Sequence, residues 1–218
     1  PTAAELEMVE LGGEQALEAA LDRVVREEPF YARMEEMFND MLLVEKYLGG
    51  TEALDLLNRE AYPGARWYDD ENYDRSGLEP EFVNAGRQHS NNSVAREPLK
   101  MVSFLLREDR PFTELLTADY MIVNPFSAMV YGIDDIDWED PLDPNEYRMG
   151  RVEGLPHAGV LTSPMYLNRF PTTATNRNRH RSRITYLNFL ATDVLKLAER
   201  PIDPTSAAHN PTMNDPQC

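Results

Sequence analysis

Cysteine occurs once in 218 residues, at the last position, so no disulfide can form within the chain. Long apolar runs are missing as well. No stretch approaches the roughly 20 residues that a membrane-crossing helix needs, and no membrane insertion is expected. Basic side chains are few: Lys and Arg number 21 against 38 Asp and Glu, a formal charge of −17. So acidic a surface repels nucleic-acid phosphates and anionic lipid headgroups, which excludes both as general partners. Residues 1–13 carry Glu5, Glu7 and Glu10 where a secretory leader has basic and then apolar residues. With Pro1 in place of Met and Cys218 at the other end, the expectation is an excerpt of a longer protein. The Gly-X-Ser-X-Gly, phosphate-loop and dinucleotide fingerprints are also missing. So are internal repeats and alternating strand patterns longer than a few residues.

Helical periodicity is abundant, and hydrophobic residues reach 42%, enough for a packed core. The spacing predicts a helix over 14–28, a second opening at Pro29 and running through Val44 to a Gly49-Gly50 stop, and a short third capped by Thr51. Residues 62–80 read as an irregular loop anchored by its own aromatics. A long helical pattern follows from Phe82 to Leu106, with either a break near Glu97 or a fresh start at Pro98. Two short helices come next, capped by Thr113 and Asn124, the second opening on Pro125 and closing on Gly132. A last helix places Ile184, Leu187, Leu190, Val194 and Leu197 on one face. The fold class is all-α, with long irregular loops and an extended, proline-rich tail from Pro201; a small hairpin fits in the loops. The expected division is a helical domain over 1–135, an acidic boundary loop over 136–149, and a smaller helical unit over 150–218.

Two local clusters invite a functional reading. Seven of the 21 basic residues (Arg169, Arg177, Arg179, Arg181, Arg183, Lys196 and Arg200) fall within 32 positions. Guanidinium forks hold carboxylates at two points, so the block either binds an acidic ligand or pairs with the protein's own Asp and Glu. Internal pairing is the simpler reading in so acidic a chain. The stretch 131–147 offers Asp135, Asp137 and Asp140 as calcium ligands, although it lacks the Asp-X-Asp-X-Asp-Gly spacing and suits a solvated loop equally well. His89, His157, His180 and His209 form no zinc spacing. His157 reads as a buried hydrogen-bonding residue, and His89 as a loop-packing residue, a distal ligand or a general base.

Three stretches together resemble a known group: VVREEPFYARMEEMFNDMLLVEKYLG, AREPLKMVSFLLREDRPFTELLTADYMIVNPFSAMVYGI and HAGVLTSPMYLNRFPTTATNRNRHRSRITYLNFL. They are similar to the paired domains of unknown function in large exported cytochrome-c-type proteins of planctomycetes, myxobacteria and relatives. The resemblance runs from about Glu14 to Cys218, and HAGVLTSP and NRNRHRSR are its more specific parts. It implies a periplasmic or extracellular location and a role beside electron transfer. It also implies an adjacent haem domain in the same polypeptide, and haem c attached through Cys218 as the first cysteine of a Cys-X-X-Cys-His motif. Arg179 and Arg181 would then be candidates for contact with haem propionates. The resemblance leaves three roles open: accessory scaffold, part of the substrate pocket of a haem-dependent oxidoreductase, or interaction module without redox role.

Overall fold

The structure is a computed structural model that describes residues 2–170 and 179–197. It is mostly helical, and its centre is one long helix, α4. In chain order the elements are α1 (Ala3–Val24), α2 (Glu28–Leu42), α3 (Glu52–Asp55), α4 (Pro80–Arg107), α5 (Glu114–Thr117), β1 (Met121–Val123), α6 (Pro125–Tyr131), β2 (Arg148–Gly150), α7 (Pro164–Arg169) and α8 (Arg179–Leu190). Helix α4 packs against α2, α3, α5, α6, α7 and β1. From Ser90 to Leu105 it is buried on nearly every side, as a helix at the middle of a core must be.

Pro98 neither breaks α4 nor restarts it; the helix runs through. Proline removes one N–H and crowds the preceding turn, at about 3 kcal/mol in a free helix. Here Val94, Leu99, Val102 and Leu105 are all buried, and only a continuous helix keeps them on the surfaces they fill.

The loop 62–80 packs through Trp67, whose side chain is fully buried. Its indole N–H donates to Ser90 Oγ at 3.0 Å, and its ring stacks on Phe82 at 4.9 Å, which stacks in turn on Phe126 at 4.6 Å. Gly86 makes this possible, since a Cβ there would lie 2.7 Å from the indole.

Helix α6 begins as its sequence requires. Asn124 Oδ1 accepts from Ser127 N at 2.9 Å, Ser127 Oγ accepts from Asn124 N at 3.0 Å, and Pro125 fills the first turn. Gly132, at φ 69°, ends it. The two strands pair antiparallel, Met121 with Gly150 and Val123 with Arg148. They are not a tight hairpin, because α6 and the acidic stretch lie between them. Val160, Met165, Tyr166 and Phe170 pack into the same core as residues from Leu42 to Ile133.

Several element boundaries differ from expectation. The predicted helix over 14–28 ends at Val24, and the stretch before it is helical too. Gly13, at φ 61° and ψ −146°, interrupts α1. Arg23 pairs with Glu5, 18 residues away; a straight helix would hold them about 27 Å apart, so α1 doubles back at Gly13 as a helical hairpin. Helix α2 stops at Leu42, because Asn39 Oδ1 accepts from Val44 N at 3.1 Å and Glu45 N at 3.3 Å, drawing the chain into a tighter turn. Neither Thr51 nor Thr113 caps through its side chain. The Thr51 hydroxyl donates to Asp55 instead, and Thr113 already has helical angles. Helix α8 ends at Leu190, not Leu197. Ala191 turns left-handed at φ 49°, and Asp193 Oδ1 accepts from Leu195 N at 3.1 Å to start a separate turn.

Candidate functional site

The arginine block does three different things. Arg183 forms a two-point pair with Asp193, both contacts at 2.9 Å, and this pairing is the main reason the Asp193 carboxyl is held down at about 2. Arg181 meets no carboxylate among the described residues. Its guanidinium donates to the backbone oxygens of Leu167, at 2.8 Å, and Phe170, at 3.0 Å. A cation at the end of α7 satisfies carbonyls that the helix itself leaves unpaired, so the expected pairing with an acidic side chain is replaced by a bond to the backbone. Arg179 is exposed at the start of α8. Arg177, Arg200, His209 and Cys218, with the tail expected to be extended, lie outside the described residues.

Asp135, Asp137 and Asp140 are all exposed and are not gathered. Asp140 accepts from Leu142 N at 2.9 Å, a local turn bond. The loop is organised by Glu146, which accepts from Glu139 N at 3.0 Å and Asp140 N at 2.9 Å and pairs with Arg148 at 2.6 Å. Those backbone donors hold the Glu146 carboxyl below its usual range. Among the described residues no group of three His, Cys, Asp or Glu side chains is placed to hold a metal ion.

Two arrangements escaped the sequence reading. Glu97 sits on the middle turn of α4, and among the described residues it is the only buried acidic or basic side chain. Burial pushes its carboxyl up to about 7, partly offset by the nearby Ser163 hydroxyl. Its Oε2, Ser163 Oγ and the Tyr131 hydroxyl are all buried without a hydrogen-bond partner among the described residues. The Tyr131 phenol is held well above its normal range, by burial first and by Glu97 second. The signal for Glu97 was its spacing: Val94, Glu97 and Met101 recur at three and four residues, which is the buried face.

The second arrangement is a hollow of about 200 Å³ beside His157, bordered by Tyr62, Asp119, Arg151 and Thr162. His157 Nδ1 is 3.1 Å from Thr162 Oγ1, and Nε2 is buried without a partner among the described residues. Burial lowers the imidazole below its usual 6.5, so it is neutral at pH 7. Arg151 and Asp119 pair across the mouth at 3.0 Å. Tyr62 joins the two arrangements, since it lines the hollow and packs edge-on against Tyr131 at 5.4 Å.

Helix α1 carries apolar surface that nothing described covers. None of its residues is buried, and Leu6, Met8, Leu11, Leu17, Leu21 and Val24 are exposed, Leu11 to 83%. Such a concentration of apolar side chains exceeds the scattered exposure usual on a surface.

Sequence comparison bears on the same elements. A family profile described as a protein of unknown function, PSD4 (DUF1592), matches residues 3–133, from the start of α1 to just beyond α6. No curated protein and no solved structure matches. With well over half its length matched, the chain belongs to the DUF1592 family of proteins of unknown function.

Proposed function

We propose that this chain is an accessory scaffold in an exported c-type-cytochrome-like protein, docking against a neighbouring domain of the same polypeptide. The observation that supports docking is the uncovered apolar face of α1. Apolar side chains at this density gain about 25 cal/mol for each Å² withdrawn from water, and a covering domain supplies that gain.

The haem link rests on the resemblance of the C-terminal stretches, with Cys218 as the attachment point and haem c as the electron carrier. The hollow at His157, at about 200 Å³, is too small for a porphyrin. No step is assigned to the described residues through that group. A second reading, a share in an oxidoreductase's substrate pocket, is favoured by the unpartnered Nε2 of His157 beside that hollow.

The test uses the polypeptide extended past Cys218, produced in cells with a haem-attachment system. Its absorption spectrum before and after dithionite, and its intact mass, report haem. Limited proteolysis near Gly13 reports docking. The expected results are a Soret band that shifts on reduction, a mass gain lost when the motif cysteines are replaced, and an α1 cut far more slowly than in the 218-residue chain. A colourless extended protein removes the cytochrome assignment and leaves an interaction module without redox role. Equal cleavage of α1 in both forms sinks the docking reading.

A further inference from the structure

His89, Asn92, Arg96 and Lys100 follow one another along a single side of α4 at steps of three and four residues, and the segment from Pro144 to Tyr147 forms the facing wall. Between them is a cavity of about 210 Å³. Its lining includes Arg96, Lys100 and His89 and, among the described residues, no Asp or Glu. That is unusual in a chain with 38 acidic residues to 21 basic ones.

Three of the donors around the cavity are also unspent. Arg96 makes no ion pair or hydrogen bond with any described residue, and neither do the ring nitrogens of His89 or the hydroxyl of Tyr147. The His89 ring is fixed against Phe126, with centres 4.7 Å apart. Lys100 bonds both oxygens of Glu35, at 2.9 and 3.0 Å, and its ammonium lies 5.3 Å from the centre of the Tyr147 ring. Arg96, and after it Glu35 and Asp143, act on Tyr147, while Glu146, within the wall segment, is taken up by the backbone of Glu139 and Asp140 and by Arg148. The adjoining hollow along α4, about 490 Å³, differs because it contains its own carboxylates. There Glu28 takes both ends of Arg107 at 2.6 and 2.5 Å, so its cation is already matched.

We propose that the cavity between α4 and residues 144–147 binds a compact oxyanion, a small carboxylate or a phosphate, with Arg96 as the principal contact. A guanidinium offers two parallel N–H groups to two oxygens of one group. His89 and Tyr147 stand at the sides as further donors. At about 30 Å³ per water, the space equals about seven waters, which is room for a phosphate or a short carboxylate together with some of its water. The net charge of −17 repels anions at long range, so affinity has to come from these local donors.

The experiment titrates inorganic phosphate, acetate and succinate separately into the 218-residue chain at constant ionic strength held with sodium chloride. Calorimetry and the ring resonances of His89 follow the binding. Saturable binding of at least one anion is expected, with the His89 signals moving in step, and the preferred anion distinguishes a phosphate from a carboxylate ligand. Arg96→Gln should weaken that binding at least tenfold while leaving the ligand-free melting temperature unchanged, because Arg96 is exposed. Arg96→Lys should recover only part of it. Absence of saturable binding by all three anions, or equal binding by the Arg96→Gln protein, overturns the assignment.

Discussion

Glu97 is the residue whose position departs furthest from what its type would suggest. An ordinary carboxyl titrates near 4.5, and burial raises this one to about 7. Below pH 4.5 both the folded and the unfolded chain hold the proton. Between 4.5 and 7 only the folded chain keeps it, so stability falls as pH rises through that window and levels off above it. A shift of this size corresponds to about 3 kcal/mol. Glu97→Gln removes the titration, so its stability relative to the parent should rise by about 3 kcal/mol between pH 4.5 and pH 8 in urea unfolding. Parallel profiles would show that Glu97 gains solvent or a partner on ionising. In the sequence Glu97 marked only the place of a possible break before Pro98, because its burial depends on the six elements packed around α4. Arg181 was legible as important, though its partner was not. A pattern of charges points to carboxylates, whereas the open carbonyls at the end of α7 exist only in the fold. Arg181→Ala leaves the oxygens of Leu167 and Phe170 without these bonds and should cost about 1–3 kcal/mol, seen as a lower midpoint in urea. Arg181→Lys should recover less than half, since one ammonium does not span both oxygens as the fork does.

Among the elements, α6 was readable at both ends and α2 was not. Asn124, Pro125 and Gly132 fix both ends of α6 within a few residues, and the prediction matched there. Helix α2 is stopped by the Asn39 side chain, which competes for the N–H groups of Val44 and Glu45, and periodicity does not register that competition. Helix α4 illustrates the opposite case. Pro98 signals a break locally, and the buried face that overrides it is assembled from segments up to about 70 residues away in sequence. Gly86 belongs to this scale as well, because it lets a helix and a loop approach closely enough for Trp67 to stack on Phe82. Gly86→Ala improves helix propensity by about 1 kcal/mol, yet its methyl would meet the indole at 2.7 Å. The overlap should dominate, with a net loss of about 1–3 kcal/mol and a change in Trp67 fluorescence. A gain in stability would mean that the loop 62–80 yields easily and is not the anchor described here.

For the whole molecule, α1 stands apart from everything that stabilises the core. The segment Ala3–Val24 carries six acidic residues against one basic, buries none of them or of its apolar residues, and is held together by its own cap at Thr2 and the Arg23–Glu5 pair. The core runs instead from Tyr31 to Phe170 around α4. If α1 exists to meet a neighbour, the 218-residue chain loses little when it is removed. Deleting residues 2–25 should shift the melting temperature by no more than about 2 °C, which at this size is under 1 kcal/mol, and should leave the helical circular dichroism of the remaining residues unchanged. The same deletion in the extended polypeptide should expose the neighbouring domain, so that amides protected in the parent exchange faster there and not within residues 28–170. The two measurements separate the roles. A large drop in melting temperature in the 218-residue chain would make α1 part of this domain's own core. Unchanged exchange in the extended protein would leave its apolar face without the domain proposed to cover it.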